Sequence, residues 1–196
     1  IPFLSGSLAK KGIVCTEFYN TGHTLTCPGH ASVTTGFSQN IDNTGKEYPE
    51  HPSIFQRWLK KTGAAQNEAW IITSKDKLSV LAECTDTLWK GRFNPSQNCG
   101  IGGKGAGSGI REDTATFREA IRILSTHHPK LALIHFTEPD IAGHDGKWDR
   151  YLKGIRLCDS LLFELWNFLE QDPVYAGRTA LFMTNDHGRH LDGPQH

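Results

Sequence analysis

Two pairs of residues in this chain set a carboxylate and an imidazole beside a glycine: Asp140 with His144, and Asp186 with His187. Both side-chain types bind divalent metal ions, and an Asp and a His at i and i+4 of a turn can reach one ion. The first pair follows the apolar run Leu131–Phe136, and the second follows Thr179–Thr184. In α/β sheets, ligands gather just outside the carboxyl ends of strands. Taken alone, an Asp-x-x-x-His loop also fits an ordinary capped turn. Neighbouring residues of a strand point to opposite faces, so Asp186 and His187 share a site only if the chain turns there, which Gly188 permits. A third element of chemistry is Thr26, just before Pro28 and a short predicted helix. A helix N-terminus presents open N–H groups and a positive dipole end. A hydroxyl held there, beside a dication, can act as a nucleophile. The alternative is that Thr26 simply caps the helix.

Read in order, the segments resemble one family. Thr26-Cys27-Pro28-Gly29-His30, followed by Val33-Thr34-Thr35-Gly36, resembles the Thr-Phe-Pro-Asn-His…Val-Thr-Gly nucleophile segment of nucleotide pyrophosphatase/phosphodiesterases in the alkaline phosphatase superfamily. Asp140-Ile141-Ala142-Gly143-His144 is similar to that family's Asp-x-x-Gly-His loop, and Asp186-His187-Gly188 to its Asp-His-Gly motif. Pro2 to Val14 resembles the helix that follows its first strand.

The resemblance implies a two-metal hydrolase of small-molecule phosphate esters, diester or monoester. Thr26 would be the nucleophile and would bind one ion with Asp186 and His187. Asp140 and His144 would hold the other, with His196 as third ligand and His190 as a weaker substitute. Asn43 would contact a phosphate oxygen. Mixed Asp/His ligands suit two Zn2+ ions, with Mn2+ the alternative. The family's first Asp ligand lies upstream of the segment resembling Pro2–Val14, and no Asp precedes Asp42 here. The expectation is therefore one hydrolase domain over 1–196 that lacks its first strand and a C-terminal part. Readings left open are a phosphomutase or phosphotransferase, a sulfatase-like relative, and a non-catalytic truncated homologue. The sulfatase reading is disfavoured, because Gly29-His30 stand where that branch has Ser-Arg and Cys27 is one place off the nucleophile.

The elements that must position these residues alternate between strand and helix. Strands are predicted at Ala69–Thr73, Ser79–Glu83, Leu131–Phe136 and Thr179–Thr184. Helices are predicted ending at Leu8–Val14, and over Pro28–Thr35, Ser53–Thr62, Asp113–His127 and Trp148–Leu169. Trp148, Tyr151, Leu152, Ile155, Leu162, Leu165, Trp166 and Leu169 form a core stripe on the last. Thr85–Arg111 reads as loop, and Gly100–Gly109 within it as a mobile surface loop without Walker spacing and without a strand leading in. The alternation predicts an α/β fold with a mainly parallel central sheet flanked by helices, alkaline-phosphatase-like by resemblance and incomplete.

Composition fits that picture without narrowing it. The chain has 196 residues, 37% hydrophobic and 21% charged, long enough for a core. Lys plus Arg equals Asp plus Glu at 21 each, so no charge excess points to nucleic acid. No apolar run approaches the roughly 20 residues of a membrane span. Location is undetermined by the residues; the resemblance favours an extracytoplasmic one. Five cysteines show no CxxC pair, which suits buried free thiols, with a Cys84–Cys99 bridge as the alternative.

Overall fold

The computed structural model describes residues 1–20 and 22–188. The chain forms two units, Asn20–Phe136 on one hand and Ile1–Tyr19 with Thr137–His196 on the other.

The Asn20–Phe136 unit is built on β1, Ala69–Thr73. Ile71 and Ile72 are both fully buried, as a strand covered on both faces requires. Its partners are β2 (Ser96–Cys99) and β3 (Leu131–His135), giving a three-stranded parallel sheet in the order β2-β1-β3. Register pairs Thr73 with Cys99 on one side and with His135 on the other. Ile71 packs with Cys27 and Ala31 of α1 (Thr26–Thr35) and with Phe55 and Leu59 of α2 (Ile54–Thr62). Ile72 packs instead with Ala120 and Ile123 of α3 (Asp113–His127). Helices therefore cover both sheet faces, which is the expected α/β architecture.

Local chemistry sets the helix ends. Ser53 caps α2 by accepting from Gln56 N–H, while the Gln56 side chain accepts from Ser53 N–H. Gly63, at φ 68°, closes it in the left-handed conformation. α1 starts two residues before the expected Pro28, because proline is tolerated throughout a first turn whose N–H groups need no intrahelical partner. Asp113 does not cap α3. It lies inside the first turn, buried, and its carboxylate accepts from Ser74 Oγ at 2.5 Å.

Three expectations for this unit are corrected. Ser79–Glu83 is not a strand but falls mostly within a 3-10 helix, Asp76–Ala82. Both edges of β1 are already taken by β2 and β3, and Val80, Leu81 and Ala82 are buried consecutively rather than alternately. The polar segment Ser96–Cys99, read as loop, pairs along β1. It leads directly into the glycine-rich segment, which is anchored: Gly107 and Gly109 N–H groups donate to Asp76 Oδ2 at 2.8 and 2.9 Å. The Gly107 and Gly109 backbone donors are thus occupied by an internal carboxylate. All five cysteines are free thiols, so Cys84 and Cys99 form no bridge.

In the second unit, the expected helix ending at Leu8–Val14 is a π-helical segment, Phe3–Leu8, that stops at the near edge of that stretch. Its open N–H groups are satisfied by buried Asp159, which accepts from Phe3 N at 3.0 Å and Leu4 N at 2.9 Å. Asp159 belongs to α5, Trp148–Gln171. Leu162, Leu165 and Leu169 of the expected stripe are buried, but Trp148 at its start is 55% exposed and stacks on Tyr151. Thr179–Thr184 is not a strand: it joins no ladder, and Phe182 is 92% exposed. Apolar composition makes a strand only where a neighbouring edge supplies hydrogen bonds. Among the described residues, no helix is long and apolar enough to cross a membrane.

Candidate metal centre and nucleophile site

Asp140 opens α4, the single-turn helix Asp140–His144 that follows the Glu138-Pro139 turn. The turn is held by close backbone approach to α5. A Cβ at Gly154 would lie 3.1 Å from Pro139 Cα and 2.8 Å from Glu138 Oε2. Arg150 of α5 forms ion pairs with Asp145 and, at 3.7 Å, with Glu138. The turn is thereby fixed on both sides of Asp140.

Four of the predicted metal ligands, Asp140, His144, Asp186 and His187, belong to this unit. Asp140 Oδ1 lies 3.6 Å from His144 Nε2 and 3.9 Å from His187 Nε2. His187 Nε2 lies 3.6 Å from Asp186 Oδ2. The His187 side chain is 8% exposed, Asp186 18% and Asp140 20%, whereas His144 is 58% exposed. These separations exceed hydrogen-bond length. They approach the donor-to-donor spacing of about 3.3 Å around a tetrahedral ion with bonds near 2 Å. By type, the donors are the oxygen and imidazole groups such an ion takes. Among the described residues, no three such side chains close around a single point. His187 stands between Asp140 and Asp186 rather than with Asp186 alone. His190 and His196 lie outside the described residues.

The predicted nucleophile belongs to the other unit. Thr26 is 5% exposed at the start of α1. Its hydroxyl oxygen accepts from Lys75 Nζ at 3.2 Å, and Lys75 is itself buried. Asn43 sits beside it: its Oδ1 accepts from Cys27 N–H at 2.9 Å and from Lys77 Nζ at 3.1 Å. His30 Nδ1 approaches the Thr26 carbonyl at 2.8 Å, and the His30 ring packs edge-on against His135. Burial pushes the Cys27 thiol above its ordinary pKa, against the pull of Lys77 and Lys75, with Asp42 adding to the rise. Cys27 is therefore a neutral core thiol at neutral pH, not a competing nucleophile.

Lys75 and Lys77 were not among the residues singled out from the sequence. A signal was available: both lie within four residues after Thr73, at the carboxyl end of a predicted strand. What concealed them was reading the next segment as a further strand.

The profile of the metalloenzyme superfamily, whose alkaline-phosphatase-like members share this α/β plan, matches residues 30–194. The chain belongs to the metalloenzyme superfamily. The matched span includes Asp140, His144, Asp186 and His187 and begins just after the Thr26–Gly29 segment. Membership makes this a metal-dependent enzyme of that superfamily, with metal ions as cofactors. Comparison with curated proteins and with solved structures finds no match.

Proposed function

We propose that this metalloenzyme superfamily member hydrolyses small-molecule phosphate esters, with Thr26 as nucleophile and two divalent cations, Zn2+ by preference, as cofactors. Its motifs resemble those of the nucleotide pyrophosphatase/phosphodiesterase branch, a likeness that leaves the ester class, diester or monoester, to the groups around Thr26. The observation that carries the metal part is the run of donors from His144 through Asp140 and His187 to Asp186, each 3.6 to 3.9 Å from the next. The nucleophile part rests on the motif around Thr26 and on its place at the start of α1.

By the motif resemblance, Asp140 and His144 would hold one ion, with His196 as third ligand, and Asp186, His187 and Thr26 would hold the other. Bound dications would supply Lewis-acid charge for an in-line displacement. Thr26 Oγ1 attacks phosphorus, its proton passes to water, and the bond to the leaving oxygen breaks. The resulting phosphothreonine is attacked at phosphorus by water, which releases phosphate and restores the hydroxyl. Asn43 is held by two bonds onto its Oδ1, which leaves its NH2 end to donate to a phosphoryl oxygen.

The test uses the intact protein, stripped by chelator and reloaded with Zn2+ or Mn2+. Elemental analysis should find two ions per chain. Hydrolysis of 4-nitrophenyl phosphate or bis(4-nitrophenyl) phosphate should vanish and return with the metal. Mass spectrometry of acid-quenched enzyme should find phosphate on Thr26. Metal-loaded protein that turns over neither ester would refute the hydrolase reading.

A further inference from the structure

Resting on that reading, we infer that Lys75 and Lys77 form a cationic subsite around Thr26 and Asn43 that selects a dianionic phosphoryl group, a terminal phosphate monoester or phosphonate, over a phosphodiester. The two ammonium groups converge on the two residues proposed to touch the reacting phosphoryl group. Lys75 Nζ donates to Thr26 Oγ1 at 3.2 Å, and Lys77 Nζ to Asn43 Oδ1 at 3.1 Å and to its carbonyl at 3.3 Å. They are rigidly placed. Both leave the carboxyl end of β1, Lys75 as the residue preceding the 3-10 helix Asp76–Ala82 and Lys77 within it. The intervening Asp76 faces the glycine-rich segment, where its carboxylate is bound by Gly107 and Gly109.

Lys75 and Lys77 place two ammonium groups on this wall, at Thr26 and at Asn43, and both act to lower the Cys27 thiol while Asp42 raises it. Asp42 is exposed and turned onto Thr44, whose N–H and hydroxyl both donate to its Oδ1. The two ammonium groups face Thr26 and Asn43, while the Asp42 carboxylate is engaged by Thr44. A phosphodiester brings one negative charge and a second organic group. A terminal phosphoryl group brings close to two charges and three open oxygens, and each oxygen can take a charge-assisted hydrogen bond. A buried ammonium is most strongly compensated by the more highly charged ligand, because the low-dielectric surroundings magnify each added charge.

The experiment compares intact wild-type enzyme with Lys75→Met, Lys77→Met, Lys75→Arg and Lys77→Arg. Readouts are kcat/KM on 4-nitrophenyl phosphate and on bis(4-nitrophenyl) phosphate, and calorimetric binding of inorganic phosphate. Wild type should prefer the monoester. Each Met variant should lose about tenfold or more on the monoester and on phosphate binding, as expected for one charge-assisted bond, but only about threefold on the diester. The Arg variants should recover most of the loss. Equal losses on both esters, a wild-type preference for the diester, or phosphate binding unchanged by Lys77→Met would each overturn the inference. If Lys75→Met fails to fold, Lys77→Met, at a half-buried position, decides. If wild type hydrolyses neither ester, the hydrolase reading falls, and phosphate binding still decides whether the lysines form an anion site.

Discussion

Thr26 and Cys27 are neighbours with opposite fates. The Thr26 hydroxyl accepts from a buried ammonium at the start of α1, while the Cys27 side chain packs into the core with Ala31 and Ile71. Thr26→Ala should abolish turnover and leave the fold, since its hydroxyl has no substitute and loss of a helix-start contact costs about 1 kcal/mol. Cys27→Ala should do the reverse, losing about 1–2 kcal/mol to a small cavity while keeping kcat within about threefold. Denaturant titration beside steady-state kinetics separates the two. A Thr26→Ala enzyme that keeps near-normal rates would reduce Thr26 to a structural residue. At this scale the sequence was most legible where chemistry and backbone agree. Asp140, His144, Asp186 and His187 stand out by type and glycine context, and successive members of this run lie 3.6 to 3.9 Å apart. The lysines were missed because a lysine's role depends on where its long side chain ends, which no local pattern reports.

At the level of elements, the metal-ligand turn depends on α5 passing close to it. Gly154 is the residue that permits the approach. Gly154→Ala gains about 1 kcal/mol of helix propensity. Against that, the new methyl meets the Pro139 backbone at 3.1 Å and must displace it by a few tenths of an ångström. The expected outcome is near-unchanged thermal stability with metal affinity reduced about tenfold or more, because ligand geometry sets affinity. Competition with a chromophoric chelator measures this; unchanged affinity would show that the turn tolerates the shift. The strongly apolar or periodic elements β1, β3, α2, α3 and α5 were legible, since burial wrote them into the sequence. β2 was not, because Ser-Gln-Asn-Cys is held by pairing with β1 rather than by its own propensity. Thr179–Thr184 failed in the opposite sense: its composition suits a strand, but a strand needs an edge to join.

For the molecule as a whole, the buried thiols make a testable statement about alkaline pH. Burial raises the Cys99 thiol from an ordinary value near 9 to about 11, and Cys27 and Cys84 are also raised chiefly by burial. Cys99 lies at the end of β2, fully buried, with its sulfur 3.6 Å from the Ile71 carbonyl. An acid whose pKa is higher in the folded state keeps its proton there while the unfolded chain releases it. The unfolded state then binds fewer protons, so stability falls as pH rises. The contribution is complete below about pH 9 and is lost progressively up to about pH 11. From Cys99 alone the loss should reach about 2 kcal/mol by about pH 10.5. Denaturant titrations at pH 8 and pH 10.5 under reducing conditions should show at least that decrease in the Asn20–Phe136 unit. In Cys99→Ala the absolute stability should drop at both pH values through lost packing, but the difference between them should shrink. A wild-type protein equally stable at both values, or a Cys99→Ala variant with the same alkaline slope, would mean that the interior around β2 admits enough water to carry a thiolate.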